Sequence, residues 1–273
     1  MDSAFYVYEG GRFVSSELTR GPWDADSQHA GPPTALIGRE LERTPAAIAP
    51  EAGWQLGRVT FEILRPVPIT TLVVSTEVVR PGRSVELLEA TLRAADGEPL
   101  IRARAWRIAR GAVELPPGLA SEDSASPARR AKPLAPPAGG SPESFFPTGH
   151  EIGYHTAMEY RFVCGRFLEP GPATVWMRMR VPLVAGEQPS PLQRVLAAAD
   201  SGNGVSATLN WSRFLFINVD LTVYLHRLPA GEWVCLDAIT VPEPTGIGLA
   251  DTALHDERGP IGRALQTLVV RER

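Results

Sequence analysis

The chain has 273 residues, 44% of them hydrophobic and 21% charged, with a formal net charge of −4. This length suits two domains at ~100–200 residues each, and a net negative charge offers no basic stripe for a phosphate backbone, so no nucleic acid partner is expected. No apolar run approaches the ~20 residues of a membrane span, and the N-terminus MDSAFYVYEGGRF lacks the layout of a secretory leader, so a cytoplasmic chain is expected.

In chain order, AFYVYE and RFVSSELT flank Gly10-Gly11 and predict a β-hairpin. Pro32-Pro33 suit the first turn of a helix of about three turns, with Ala35, Leu36, Ile37 and Leu41 on its apolar side. Four strands follow, from Trp54 to Arg65, Thr70 to Arg80, Val85 to Ala95 and Leu100 to Ala109. The breaks between them are Pro66/Pro68, Pro81-Gly82 and Asp96-Gly97, all turn formers. Residues 112–148 are dense in Pro, Ala, Ser and Gly without either periodicity and read as an extended linker. After it the order repeats. Strands at 156–164 and 173–182 precede a helix opening at Pro189-Ser190-Pro191 and carrying Leu192, Val195, Leu196 and Ala199. Four more strands run from Phe214 to Leu225, Trp233 to Val241, Gly246 to His255 and Ile261 to Val270. Cys164 and Cys235 lie far apart in apolar strands and read as small core residues rather than a zinc or redox pair.

The repetition holds at the level of residues. A constant shift of 161 positions carries Pro68 onto Pro229, Val73 onto Val234, Thr91 onto Thr252, Pro99 onto Pro260, Arg102 onto Arg263, Ala103 onto Ala264 and Arg110 onto Arg271. Two copies of one domain make a pseudo-dimer within a single chain. Each copy is a long antiparallel sheet with one central helix inserted after its second strand, so the expected class is α+β, a double hot dog. The expected domains are 1–111 and 149–273, joined by the 112–148 linker. The copies differ where the shift pairs Gly57 with Asn218 and Ala105 with Gln266.

The stretches TRGPWDADSQHAGPPTALIGREL, ADSGNGVS, FINVDLTVYLHRLPAGEWVCLDA and ERGPIGRALQTLVV resemble the acyl-CoA thioesterase II (TesB-like) family, in particular its actinobacterial branch. The resemblance covers both copies and leaves out the linker. It implies hydrolysis of fatty acyl-CoA to free acid and CoA, without cofactor, metal or covalent intermediate. It also implies that a helix-end Asp, a hydroxyl residue two positions before the Asp of an xDxxxxxHR strand, and a Gln on the last strand together orient one water. The Asp matches Asp200 and the Gln matches Gln266. The hydroxyl position falls on Asn218, where other members carry Thr; an amide can hold a water but cannot give up a hydroxyl proton. By the same analogy a homo-oligomer, a dimer of double hot dogs, is expected.

Thioester hydrolysis needs an aimed water, a base for its proton, and donors for the oxygen that becomes negative. Asp200 is the carboxylate, with Asn218 and Gln266 as amides. For the oxyanion, the first-copy helix start offers Ala30 and Gly31, because Pro32 and Pro33 lack amide hydrogens. Plainer readings stand beside these. Asp200-Ser-Gly-Asn-Gly also reads as a helix-ending turn with positive φ at Gly202 or Gly204. Gln266 reads as an outward strand residue, Asn218 as a backbone partner, and His29 as a loop or capping residue rather than a base. Asp220 and His226 share a strand face roughly 20 Å apart and cannot touch, leaving Asp220 as a group behind Asn218. There is no G-x-S-x-G elbow, no phosphate-binding glycine motif and no metal-ligand spacing among the five histidines. The competing reading is a non-catalytic acyl-CoA or fatty-acyl binding protein of the same fold.

Overall fold

The computed structural model describes residues 3–46, 48, 50–95, 97–116, 135–143, 145 and 148–273. Asp96 of the Asp96-Gly97 turn and much of the 112–148 linker lie outside the described residues. The first copy comprises β1 (Tyr6–Glu9), β2 (Arg12–Ser15), α1 (Gly31–Arg43), β3 (Trp54–Ile63), β4 (Thr71–Arg80), β5 (Val85–Ala94) and β6 (Pro99–Ala109). The second comprises β7 (Ser141–Pro142), α2 (Tyr154–Ala157), β8 (Met158–Arg166), β9 (Glu169–Met179), α3 (Pro191–Ala199), α4 (Gly202–Val205), β10 (Phe214–Asn218), β11 (Asp220–Leu225), β12 (Val234–Pro242), β13 (Ile247–Asp256) and β14 (Gly259–Glu272).

All strands join one sheet in the order β1-β2-β4-β5-β6-β3-β11-β14-β13-β12-β9-β8-β7, with β10 also on β14. The copies meet through equivalent strands. Antiparallel β3 and β11 set Thr60 against Thr222 and Phe61 against Leu221, and the 161-residue shift makes Leu221 the counterpart of Thr60. A pseudo-twofold axis therefore passes between Thr60 and Phe61 and their copies. Period-two patterning decides which face is buried. In β5, Leu88, Ala90 and Leu92 are buried while Glu89, Thr91 and Arg93 are only half-buried. The buried face receives α1 through Ala35, Leu36, Ile37 and Leu41, and the second copy receives α3 through Val195, Leu196 and Ala199. This is the α+β double hot dog that the sequence predicts.

Small residues bring the two central helices together in antiparallel fashion. A Cβ on Gly38 would lie 2.3 Å from Leu196 Cδ1, and one on Gly31 would lie 2.4 Å from the Ala197 carbonyl oxygen. The start of α1 thus abuts the end of α3.

Three local departures from expectation have physical causes. The expected single strand from Phe214 to Leu225 is broken at Val219, because pairing with β14 slips by one residue between Asn218–Leu268 and Thr222–Leu265. Asp220 Oδ1 secures this bulge by accepting the Thr267 N–H at 2.6 Å. The turn after Asp200 is the short helix α4, and neither Gly202 nor Gly204 takes a positive φ. The described end of the linker docks on the second sheet: Ser141–Pro142 pair with β8, and Trp176 Nε1 donates to the Ala135 carbonyl at 2.8 Å. Among the described residues no helix is long and apolar enough to cross a membrane.

Candidate active site

Asp200 closes the C-terminal end of α3 and is only 5% exposed. A carboxylate there faces the negative end of the helix dipole and is shielded from water, so its charge has to be met by donors. The second sheet supplies them. Asn218 Nδ2 donates to Asp200 Oδ1 at 2.9 Å and to the Asp220 carbonyl at 3.1 Å. Gln266 Nε2 donates to the same Oδ1 at 3.2 Å and to the Asp200 backbone carbonyl at 3.1 Å, while its Oε1 accepts the Asn203 N–H at 3.1 Å. The three residues named from the sequence thus form one cluster. The amide protons of Asn218 and Gln266 hold the carboxylate rather than stand free for a water. Asn218 Oδ1 is the acceptor left open among the described residues. Asp220 contributes its backbone oxygen to Asn218 and its carboxylate to the bulge.

The bulge explains how Asn218 reaches Asp200. The first copy has a bulge one position earlier in the shifted register, between Leu56 and Arg58 around Gly57. There the skipped residue is Gly57, which has no side chain, whereas its counterpart Asn218 still pairs with Leu268 just before the slip at Val219 and carries an amide. The position matching Gln266 is the fully buried Ala105, and the same shift pairs Asp200 with Arg39. Arg39 is itself buried and committed to Glu187, with Nε donating to Oε2 at 2.7 Å. The first copy therefore lacks all three groups.

Gly202 is required by proximity rather than by backbone angle. A Cβ there would lie 2.4 Å from Thr252 Oγ1 and 3.1 Å from Gln266 Oε1. Only glycine lets the α4 backbone lie flat against the strand that carries Gln266.

A fourth side chain joins the cluster, one that the sequence suggests is a loop or capping residue rather than a base. His29, from the loop before α1, places Nδ1 3.2 Å from Asp200 Oδ2. Its ring stacks on Tyr154 with centroids 3.8 Å apart and planes 8° from parallel. Tyr154 is fixed in turn, its hydroxyl donating to the Ala197 carbonyl at 2.7 Å and lying 2.9 Å from Ser201 Oγ. Burial pushes the His29 pKa down and Asp200 partly opposes it; burial likewise holds the Tyr154 phenol up. Proximity to a paired-proline helix start was the sole signal in the sequence, and it does not say what lies across the helix interface.

The oxyanion expectation is changed by this geometry. The Gly31 N–H points at His29 Nδ1 at 3.0 Å, so it is engaged in this structure. Ala30 keeps an N–H with no partner among the described residues, while its carbonyl accepts the Thr34 N–H at 3.0 Å. His226 and Arg227 sit at a strand end, where Arg227 Nη2 donates to Asp256 Oδ1 at 2.6 Å, away from Asp200. Among the described residues no group of three or more His, Cys, Asp or Glu side chains could hold a metal ion.

Comparisons with known proteins bear on the family and the fold. Residues 130–270 match the model of the acyl-CoA thioesterase C-terminal domain, and residues 19–108 match that of the N-terminal domain. A search of curated protein sequences gave no match. Among solved structures, a candidate thioesterase II from Thermobifida fusca YX superposes with a TM-score of 0.70 at 16% identity, covering 97% of this chain and 95% of that one. A hot-dog protein of unknown function from Alicyclobacillus acidocaldarius also gives 0.70 at 16% identity, over 98% and 95% of the two chains. The acyl-CoA thioesterase II TesB2 from Mycobacterium marinum gives 0.63 at 14% identity, over 98% and 94%. At such identities the structural likeness speaks for the fold, and the two domain matches speak for the family. The chain belongs to the TesB-like acyl-CoA thioesterase family.

Proposed function

We propose that the protein hydrolyses fatty acyl-CoA thioesters to free acid and CoA at a single site per chain, centred on Asp200. The observation that carries this reading is the buried Asp200 carboxylate, gripped on one oxygen by Asn218 and Gln266 and left facing the helix interface with the other. Donors on Oδ1 fix the carboxylate's orientation. Asp200 and the groups bonded to it supply the base, while Asn218 Oδ1, without a hydrogen-bond partner among the described residues, accepts from the attacking water. The tetrahedral oxygen is met by main-chain N–H groups at the start of α1, Ala30 first. A thiolate leaves readily, so no strong acid is needed at the sulfur.

A thiol-release assay over acyl-CoAs of graded chain length tests the reading. Turnover of at least one chain length supports it. Tight acyl-CoA binding without thiol release would instead identify a binding protein, with Asn218 in place of a hydroxyl as the cause.

A further inference from the structure

Two neighbours of His29 compete for one atom. The Gly31 N–H needs a lone pair on Nδ1, whereas Asp200 Oδ2, 3.2 Å away, needs a proton there. A carboxylate oxygen opposite an unprotonated Nδ1 would set two lone pairs facing each other at that distance. A hydrogen bond to a charged acceptor is roughly twice as strong as one between neutral groups, so the carboxylate wins the atom and the Gly31 N–H is released. Protonation at Nδ1 leaves Nε2 with its lone pair, and Nε2 has no hydrogen-bond partner among the described residues. The His29 side chain is also the more open of the two, 12% exposed against 5% for Asp200. Both Oδ1 donors of Asp200 are protein amides, so the outward-reaching basic atom of the cluster is Nε2.

We propose that His29 and Asp200 form a dyad across the two copies, in which Asp200 Oδ2 holds Nδ1–H and His29 Nε2 takes the proton from the attacking water. The proposal rests on the thioesterase reading and names the atom that acts as base. The water O–H bond breaks, its proton going to Nε2 and its oxygen bonding to the acyl carbon. The C–S bond then breaks, the sulfur leaves with the electron pair, and the Nε2 proton passes to it, giving the acid and the CoA thiol. Burial keeps the ring neutral at pH 7, as a base must be. The titratable groups that face the ring are Asp200 at the end of α3 and Tyr154 of α2, the latter through its stacked face.

His29→Phe keeps the ring that packs on Tyr154 and removes both nitrogens, and His29→Ala opens room for added imidazole. The expected result is a loss of about 100-fold or more in kcat for both variants, with KM for acyl-CoA within about threefold of wild type. Added imidazole should restore part of the His29→Ala rate, and the acidic limb of the wild-type kcat profile should disappear in both. Both variants keeping kcat within about threefold, with the wild-type pH profile, would overturn the proposal. Heteronuclear NMR of the ring nitrogens in the full chain gives a readout that needs no turnover. Protonation at Nδ1 in wild type that moves to Nε2 in Asp200→Asn supports the dyad, and Nε2–H in both proteins refutes it. A wild type that releases no thiol from any acyl-CoA defeats the thioesterase reading, and the tautomer then decides the dyad on its own.

Discussion

His29 Nδ1 and Asp200 Oδ2 come from opposite copies of the repeat and lie 3.2 Å apart. The contact exists because Gly31 lets the start of α1 touch the end of α3. The site is thus a property of the packed pair of helices, and neither copy contains it alone.

Acidification should destabilise the protein, with the first loss below pH 6.5. Burial lowers His29, His155 and His255 from their ordinary value of 6.5. A histidine depressed on folding binds fewer protons in the folded chain than in the unfolded one. Its stability contribution is complete above 6.5 and is lost as pH falls through the window beneath it. Glu187, held low by its hydrogen bond from Arg39, adds a loss of the same sign at lower pH. Thermal melts should show Tm falling from pH 7 to pH 5, with a smaller fall in His29→Phe. A Tm that holds or rises on acidification contradicts this.

Gly202→Ala should impair both fold and site. Its Cβ would sit 2.4 Å from Thr252 Oγ1 and 3.1 Å from Gln266 Oε1, so Gln266 must shift and loosen its hold on Asp200. Overpacking of this kind costs about 1–3 kcal/mol. Chemical denaturation should show that loss and the thiol-release rate should fall with it. A variant as stable and active as wild type would show that α4 has room to move.

Trp23 and Trp211 clasp the two copies beside the site. Their rings stack at 4.6 Å and 29°, and both lie against Phe216, which shares the face of β10 with Asn218. A double-mutant cycle of Trp23→Ala and Trp211→Ala should give a coupling of about 0.5–1.5 kcal/mol in unfolding free energy. Additive losses would show that the stack adds nothing to burial.

Much of this was legible in the sequence because it follows from periodicity. The alternation in VELLEATLRA reports its own buried face, and the 161-residue register exposes Asn218 and Gln266 as departures from Gly57 and Ala105. Other features depend on distances that no local pattern encodes. A one-residue slip at Val219 leaves the hydrophobic pattern of the strand readable while splitting it in two. Gly202 looks like a turn residue, yet its role is to make way for Thr252 and Gln266. His29 lies in a loop, and its partner Asp200 is 171 positions away across a helix interface.

The most direct test of a water-activating centre at Asp200 is thiol release by Asp200→Asn at saturating acyl-CoA. The substitution keeps the size of the side chain and removes the charge on which both the Asn218–Gln266 grip and the His29 contact depend. A fall of at least about 100-fold in kcat is expected, in a protein that remains folded. A rate within about threefold of wild type would contradict it.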